Sequence, residues 1–232
     1  MPKTYRTEII GYTFSELNEK VQKRLWENDD YFGHEVDFDP IVESFSTDLH
    51  ETFGADVSTL EVYYDISYSQ GDGACCVGEL DVDTVFENYV GTSFPRLLGL
   101  INSGRVTIDA IKVVRDGPWN FYNHENTCRV DVHYSCDSDK VGDWDGEDVT
   151  ELEEMLTSAI REELINLYSG LRDHYEDSTS FEAYCEAADN GTIYTEDGNI
   201  VDPAFIRNAH VSDAVQLKLD FEDYKDYLLK TT

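Results

Sequence analysis

The sequence predicts an α+β fold in which an antiparallel sheet of about four strands packs against several helices, including one long acidic helix. Four segments alternate apolar and polar residues, as half-buried strands do, and others repeat apolar residues every three or four positions, as amphipathic helices do. The 232 residues are 41% hydrophobic and 12% aromatic, which is enough for a packed core. We expect a single domain over residues 1–200 and an acidic C-terminal extension over residues 201–232, either packed or mobile.

The helices are predicted from apolar periodicity together with start and stop signals. Thr13 and Glu16 form a capping-box pattern at the start of the first helix. Pro40 suits the first turn of the second helix, and Gly54 suits its end. The predicted helices run from residue 13 to before residue 33, and over residues 40–54, 83–100, 149–175 and 181–188. The apolar stripe of the longest helix consists of Leu152, Leu156, Ile160, Leu164, Leu167, Leu171 and Tyr175.

The strands are predicted over residues 60–69, 74–80, 106–114 and 127–136, and their order in the sheet is left open. In the first strand, Leu60, Val62 and Tyr64 face one side of the sheet, because side chains alternate along a strand. The next connection is a structural turn, since an Asp-Gly pair supplies the positive φ angles of a tight hairpin. This turn consists of Gln70, Gly71, Asp72 and Gly73.

The charge is the most unusual property of the chain, because 49 acidic and 17 basic residues give a formal net charge of −32. Solubility needs far less charge than this. Such a protein repels nucleic acid and anionic membranes, and it attracts basic clefts through fast, salt-sensitive association. We therefore expect a basic host protein as the partner, with no direct nucleic-acid binding and no membrane contact, and we leave a homodimer open. A salt-adapted acidic coat is the alternative explanation.

Carboxylates are concentrated before and along the longest predicted helix. Those that one turn separates rise about 5.4 Å along the axis, close to the spacing of successive phosphates in a nucleic-acid strand. They predict a phosphate-mimicking, partner-binding surface, although acids near a helix start also favour the helix dipole and are typical of a solvated face. The candidate residues are Asp137, Asp139, Asp143, Asp145, Glu147, Asp148, Glu151, Glu153, Glu154, Glu162 and Glu163.

Catalytic and metal-binding patterns are weak, and we expect no enzyme activity, no metal and no cofactor. Residues 137–148 partly fit an EF-hand loop, but Val141 replaces the fifth ligand and Asp148 replaces the bidentate glutamate. The five cysteines form no CxxC pair, and their odd number favours reduced thiols in a cytosol. The N-terminal residues lack an apolar signal region, and no run of eighteen apolar residues occurs.

Four segments match, in order, motifs of a known family. They are residues 13–17 (TFSEL), 67–75 (SYSQGDGAC) and 120–128 (NFYNHENTC), followed by LY, HYE and TEDG motifs between residues 167 and 198. In these motifs the chain resembles a family of small, largely uncharacterised bacteriophage proteins that are often labelled antitoxins of a toxin-antitoxin stability system. The resemblance spans residues 10 to 200, with gaps between residues 80 and 105 and after residue 201. It implies a phage or prophage setting in a bacterial cytosol.

Charge and resemblance together predict a phage-encoded acidic inhibitor that mimics DNA or RNA. Its target would be a host nucleic-acid-binding defence protein, such as a CRISPR effector, a restriction enzyme or a nuclease, whose basic cleft it occupies. The alternative is an antitoxin-like protein that neutralises its partner through an apolar patch. The residues considered for that patch are Trp119, Phe121, Tyr122, Phe221, Tyr224 and Tyr227.

Overall fold

A computed structural model of the chain describes residues 6–29, 32, 36–67, 71–115, 122–137, 141–201 and 215–220. The chain falls into two compact units. One unit is Asp37–His174, and the other combines Met1–Val36 with Tyr175–Thr232. The single domain over residues 1–200 and the extension over residues 201–232 stay predictions.

The secondary structure mixes helices and strands along the chain. The strands are β1 (Arg6–Gly11), β2 (Glu61–Asp65), β3 (Gly73–Leu80), β4 (Val106–Arg115), β5 (Cys128–Cys136) and β6 (Val215–Asp220). The helices are α1 (Glu19–Glu27), α2 (Asp39–Phe53), α3 (Val82–Val85), α4 (Gly91–Ser93), α5 (Pro95–Asn102), α6 (Glu147–Ser178) and α7 (Phe181–Ala188). Within the described residues, no helix combines the length and the apolar character that a membrane crossing needs.

The unit of residues 37–174 is built on a four-stranded antiparallel sheet of order β2-β3-β4-β5. Leu80 lies opposite Ile111, and Ile111 lies opposite Val132, so one register connects three strands. The predicted α+β class is therefore confirmed. The four predicted strands are all present, and the sheet order follows the order of the strands in the chain.

One face of this sheet packs against the apolar stripe of the long helix α6. The stripe residues Val149, Leu152, Leu156, Ile160, Leu164, Leu167 and Leu171 are buried together with strand residues such as Ile111 and Val130. Complete burial of such a side chain contributes about 1.5–3 kcal/mol, so this interface is a major source of the unit's stability. The predicted stripe is confirmed from Leu152 to Leu171, whereas Tyr175 is only partly buried.

The helix predicted over residues 83–100 is interrupted. A π-helical turn, Phe86–Val90, follows α3, and the helical path breaks at Phe94 before α5 begins. Phe94 has φ −123° and ψ 63°, because Pro95 excludes the α conformation from the residue that precedes it. Pro95 then occupies the start of α5, where a missing backbone N–H has no cost.

The other unit contains strands β1 and β6, which pair antiparallel with Arg6 opposite Asp220 and Gly11 opposite Val215. Neither strand is predicted from the sequence. A small core of Phe14, Leu17, Tyr184, Ala188 and Tyr194 lies in the same unit. The N-terminal and C-terminal segments are thus joined by pairing between residues that lie far apart in the chain.

The predicted capping box is present, but it begins a short 3₁₀ turn rather than α1. The N–H of Thr13 donates to Oε2 of Glu16 at 2.8 Å, and the turn spans Phe14–Glu16. Helix α1 has its own N-cap, because Oδ1 of Asn18 accepts a hydrogen bond from the N–H of Lys20 at 3.0 Å. The predicted start at residue 13 is therefore six residues early.

Glycines between β2 and β3 leave room for the loop that contains Tyr122 and Asn123. Gly71 has φ +114°, and a Cβ atom there would clash with the ring of Tyr122. A Cβ atom at Gly73 would lie 2.7 Å from the carbonyl oxygen of Asn123. Gln70, the first residue of the predicted turn, lies outside the described residues.

We predict that Gly73→Ala lowers the free energy of unfolding by about 1–3 kcal/mol, because the added methyl group forces the loop backbone at Asn123 to move. Gly99→Ala is the matched control, since a Cβ at Gly99 meets no atom within 4 Å. Gly99 is exposed in α5, so its replacement by alanine should stabilise the protein by about 0.5–1 kcal/mol. Urea unfolding measures both changes, and equal stability of the two variants would contradict the prediction.

Candidate functional site

The predicted acidic residues divide into outward-facing and engaged carboxylates. Glu147, Glu151, Glu154 and Glu162 are exposed on the side of α6 that lies opposite its buried stripe. Glu163 is partly buried, and Asp137 and Asp143 are exposed before the helix. Asp139 lies outside the described residues. The outer face of the long helix therefore carries most of the accessible charge of the predicted cluster.

Two acids of the cluster fix the start of α6. Oδ2 of Asp148 accepts a hydrogen bond from Nε1 of Trp144 at 2.8 Å, and Trp144 is only 9% exposed. Oδ1 of Asp145 accepts a hydrogen bond from the N–H of Glu147 at 3.2 Å, which satisfies a backbone donor at the helix start. The structure gives both carboxylates a local structural role. In the described part of the chain, no group of three or more histidine, cysteine or acidic side chains could hold a metal ion.

The free edge of β5 is covered by side chains of α6. Strand β5 ends the sheet, so its outer backbone groups lack a neighbouring strand. The N–H of Val130 donates to Oγ1 of Thr157 at 2.9 Å, and the N–H of Val132 donates to Oε1 of Glu153 at 2.7 Å. Glu153 is thus engaged with the sheet edge, although the sequence predicted it as part of the partner-binding surface.

Arg161 completes the cover at the start of β5. Its Nε donates to the carbonyl oxygen of Cys128 at 2.9 Å, and its NH2 group donates to the carbonyl oxygen of Asn126 at 3.2 Å. One helix therefore satisfies both donors and acceptors of the edge strand. Sequence reasoning missed Thr157 and Arg161, because their spacing on the helix carries no sign that they face a strand edge.

An open groove of about 620 Å³ lies between β5 and α6, and we call it the edge groove. Its lining residues are Arg129, Val130, Thr150, Glu153, Glu154, Thr157, Ser158, Arg161, Glu162 and Ile165. Arg129 forms an ion pair with Asp131, and Arg161 is bound to backbone carbonyls. Glu154 and Glu162 are exposed, and Ile165 retains 49% of its surface in solvent.

A second polar cluster connects the loop before β5 to strands β2 and β4. Nδ2 of Asn123 donates to the carbonyl oxygen of Tyr64 at 3.1 Å. The NH2 group of Arg115 donates to the carbonyl oxygen of Tyr122 at 3.0 Å, and its guanidinium lies 5.0 Å from the ring centre of Tyr63. These contacts join the loop before β5 to the β2–β3 hairpin. They give Asn123 and Arg115 a structural role.

Three of the five cysteines are buried in the core. Cys75, Cys76 and Cys128 are buried, Cys185 is partly buried and Cys136 is exposed. The N–H of Cys76 donates to Sγ of Cys128 at 3.2 Å, which links two strands. A hydrogen bond with the Cys128 thiol, together with burial, holds the pKa of the Cys75 thiol well above its ordinary value. A raised pKa disfavours the nucleophilic thiolate.

These observations define an acidic α+β protein whose long helix closes a sheet edge and presents carboxylates on its outer face. The chain belongs to the family described as Domain of unknown function (DUF8835), whose model matches residues 34–181. The match covers the whole unit of residues 37–174, including the sheet, and extends over all of α6. No curated protein and no solved structure matches the chain.

We predict that Glu153→Ala destabilises the protein by about 1–3 kcal/mol, because it removes the acceptor of the Val132 N–H. Glu153→Gln keeps an acceptor oxygen and removes the same charge, so it should stay within about 0.5 kcal/mol of the wild type. Ser158→Ala, at an exposed neighbouring position, controls for general effects of changing this helix. Denaturant unfolding decides the matter: equal losses in Glu153→Ala and Glu153→Gln would show that charge, rather than the edge contact, is responsible.

The thiols should react with Ellman's reagent at pH 8 in an order set by burial and pKa. Cys136 should react first and Cys185 more slowly, whereas Cys75, Cys76 and Cys128 should react only after unfolding. The pKa of the Cys75 thiol is raised, and each unit of increase lowers its thiolate fraction tenfold. This effect and burial both slow its reaction. Time-resolved absorbance with and without denaturant measures this order. Rapid reaction of all five thiols in the native protein would contradict it.

Proposed function

We propose that this protein is a phage-encoded acidic inhibitor that mimics DNA or RNA in the bacterial cytosol. Its target is a host nucleic-acid-binding defence protein, such as a CRISPR effector, a restriction enzyme or a nuclease, whose basic cleft it occupies. The observation that carries the proposal is the row of Glu147, Glu151, Glu154 and Glu162 on the outer face of α6. Among the described residues, none of these four carboxylates has an ion-pair partner.

The spacing of the row supports mimicry of a phosphate backbone. Glu147, Glu151 and Glu154 are separated by rises of about 6 Å and 4.5 Å along the helix axis, from 1.5 Å per residue. A cleft lined by lysine and arginine side chains therefore meets negative charge at intervals comparable with those of a nucleic-acid strand. The helix holds this row in place, because its opposite face is packed on the sheet.

Two arginines lie beside the row, and their positive charge is smaller than the negative charge of its four carboxylates. Arg129 is paired with Asp131, and Arg161 donates to the carbonyl oxygens of Cys128 and Asn126. The formal net charge of −32 extends the attraction beyond direct contact. Association with a basic cleft would accordingly be fast at low salt and would weaken steeply as salt is added.

A salt-adapted coat is the competing explanation of the acidity, and exposed acids on other elements agree with it. Glu43, Asp48 and Glu51 are exposed on α2, in the same unit. They provide an internal comparison, because a coat uses all surface acids alike, whereas mimicry depends on one row. Under mimicry, binding of a partner depends on the acids of α6 more than on those of α2. Under a coat, it depends on both sets equally.

The antitoxin-like alternative requires an apolar patch. Exposed large apolar residues lie on separate elements, such as Val57 after α2, Tyr134 in β5 and Ile165 in α6. Tyr122, which is 38% exposed, is the described residue of the predicted patch. Trp119, Phe121, Phe221, Tyr224 and Tyr227 lie outside the described residues. The distribution of the described apolar side chains favours a charge-driven contact.

The test compares two triple variants with the same change in net charge. In the first variant, Glu147, Glu151 and Glu154 become glutamine; in the second, Glu43 and Glu51 become glutamine and Asp48 becomes asparagine. We expect the wild type to capture a basic nucleic-acid-binding protein from bacterial lysate and to release it near 0.3–0.5 M salt, roughly where screening shortens to a few ångströms. Only the first variant should lose this capture, and duplex DNA should compete with it.

Three outcomes would contradict the proposal. Equal loss in both variants indicates general electrostatic attraction by a coat. A partner that remains bound above about 1 M salt, where charges are screened within about 3 Å, indicates the apolar contact of an antitoxin. Capture that duplex DNA does not compete with excludes occupation of a nucleic-acid cleft.

A further inference from the structure

We infer that the edge groove is a docking site for a basic helical segment of the partner protein, one that carries an apolar residue beside its arginine or lysine side chains. This inference rests on the proposed function in that the partner is basic. The inference adds three features that phosphate mimicry alone does not require. The partner binds at the edge groove, the bound segment is a helix, and an apolar residue contributes to the contact.

The charges of the groove select a cationic occupant. Glu154 and Glu162 present exposed carboxylates along its length. Arg129 is paired with Asp131, whereas Arg161 keeps its positive charge while it donates to backbone carbonyls. With Glu153, the lining has three carboxylates, so negative charge still exceeds positive charge in the groove. A nucleic acid would be repelled, and a second copy of a chain with net charge −32 would be disfavoured for the same reason.

Ile165 supplies an apolar contact at one end of the groove. It is 49% exposed on the side of α6 that otherwise carries polar and acidic residues. The apolar stripe of the helix already passes through its neighbour Leu164, which is fully buried, so the core of this unit does not require Ile165. Covering half of an isoleucine by a partner side chain strengthens binding roughly 5-fold.

The state of the strand edge decides the form of the occupant. A peptide that adds to a sheet edge needs free N–H and C=O groups on the edge strand. In β5 the N–H groups of Val130 and Val132 and the carbonyl of Cys128 are already bound to Thr157, Glu153 and Arg161. Strand addition at these positions would break three contacts, whereas a helix can use its side chains alone.

The spacing of the groove residues defines a complementary helix. Glu154 and Glu162 are separated by a rise of about 12 Å, and Ile165 lies about 4.5 Å farther along the axis. On a helix that runs alongside, cations eight residues apart and an apolar residue three positions beyond the second cation match this pattern. Such a helix has its basic and apolar residues on one face.

The experiment uses the full chain and a fluorescein-labelled helical peptide with arginine at two positions eight residues apart and leucine three positions farther. A scrambled peptide of the same composition is the first control. Fluorescence anisotropy at about 50 mM salt, where surface charges are weakly screened, gives the Kd of each pair. We expect the ordered peptide to bind about 5-fold more tightly than the scrambled one, a difference near 1 kcal/mol.

Two groove variants and one matched control locate the contact. Glu162→Lys and Ile165→Ser should each weaken the ordered peptide roughly 3- to 10-fold, since each removes one contact of ordinary strength. Glu43→Lys makes the same charge change at an exposed position of α2, outside the groove lining and outside the row on α6, and its effect should stay below about 2-fold. Circular dichroism and the unfolding midpoint verify that all three variants are folded.

The outcomes separate the groove from the proposed function. Equal losses in Glu43→Lys and Glu162→Lys, or equal binding of the two peptides, would overturn the docking site even if lysate capture depends on the outer row of α6. A change in oligomeric state caused by Ile165→Ser would mean that a second copy occupies the groove. A further outcome is that both groove variants bind the ordered peptide less tightly, whereas lysate capture is equal in the two triple variants. This outcome would support the groove and reject phosphate mimicry.

Discussion

The backbone groups along the free edge of β5 need hydrogen-bond partners, and the long helix supplies them through Glu153, Thr157 and Arg161. This contact sets the position of α6 relative to the sheet more narrowly than apolar packing does, because hydrogen bonds to a strand edge have a fixed register and direction. The apolar stripe provides most of the stabilisation and decides which helix face meets solvent, and the edge contacts fix where the helix lies along β5. The exposed carboxylates and the edge groove both follow from that choice.

Most of the fold could be predicted from local periodicity. In the main helices and strands of residues 37–174, apolar residues recur with the period of that element and face the core. The four strands and the stripe from Leu152 to Leu171 depend on side chains near in sequence, and both are predictable. The pairing of β1 with β6 is different, because Val215, Leu217 and Leu219 alternate like a strand, yet nothing in the sequence identifies Arg6–Gly11 as the partner. The break at Phe94 was signalled by Pro95, but the π turn before it has no sequence signal that we recognise.

The candidate site could be predicted only as a region. Eleven carboxylates look alike in the sequence, but the structure engages Asp145, Asp148 and Glu153 in hydrogen bonds and leaves Glu147 and Glu151 exposed. The difference depends on what each side chain meets across space, namely a tryptophan, a helix start or a strand edge. Helical spacing identifies the outer face of α6, but it does not reveal that one flank of the helix lies against β5.

The acidity of the chain and the cover of the sheet edge have connected consequences. A highly charged protein resists association with its own copies, which already reduces the danger that an exposed edge strand poses. Covering part of the edge with helix side chains therefore has a further effect: it occupies backbone groups of Cys128, Val130 and Val132 that strand pairing would use, and it leaves side chains as the exposed groups of the groove. Those side chains are two outward carboxylates and one half-exposed isoleucine beside arginines that are already engaged. In the docking that we propose, recognition depends on the order of charged and apolar residues in the partner, and a purely electrostatic surface would lack that dependence.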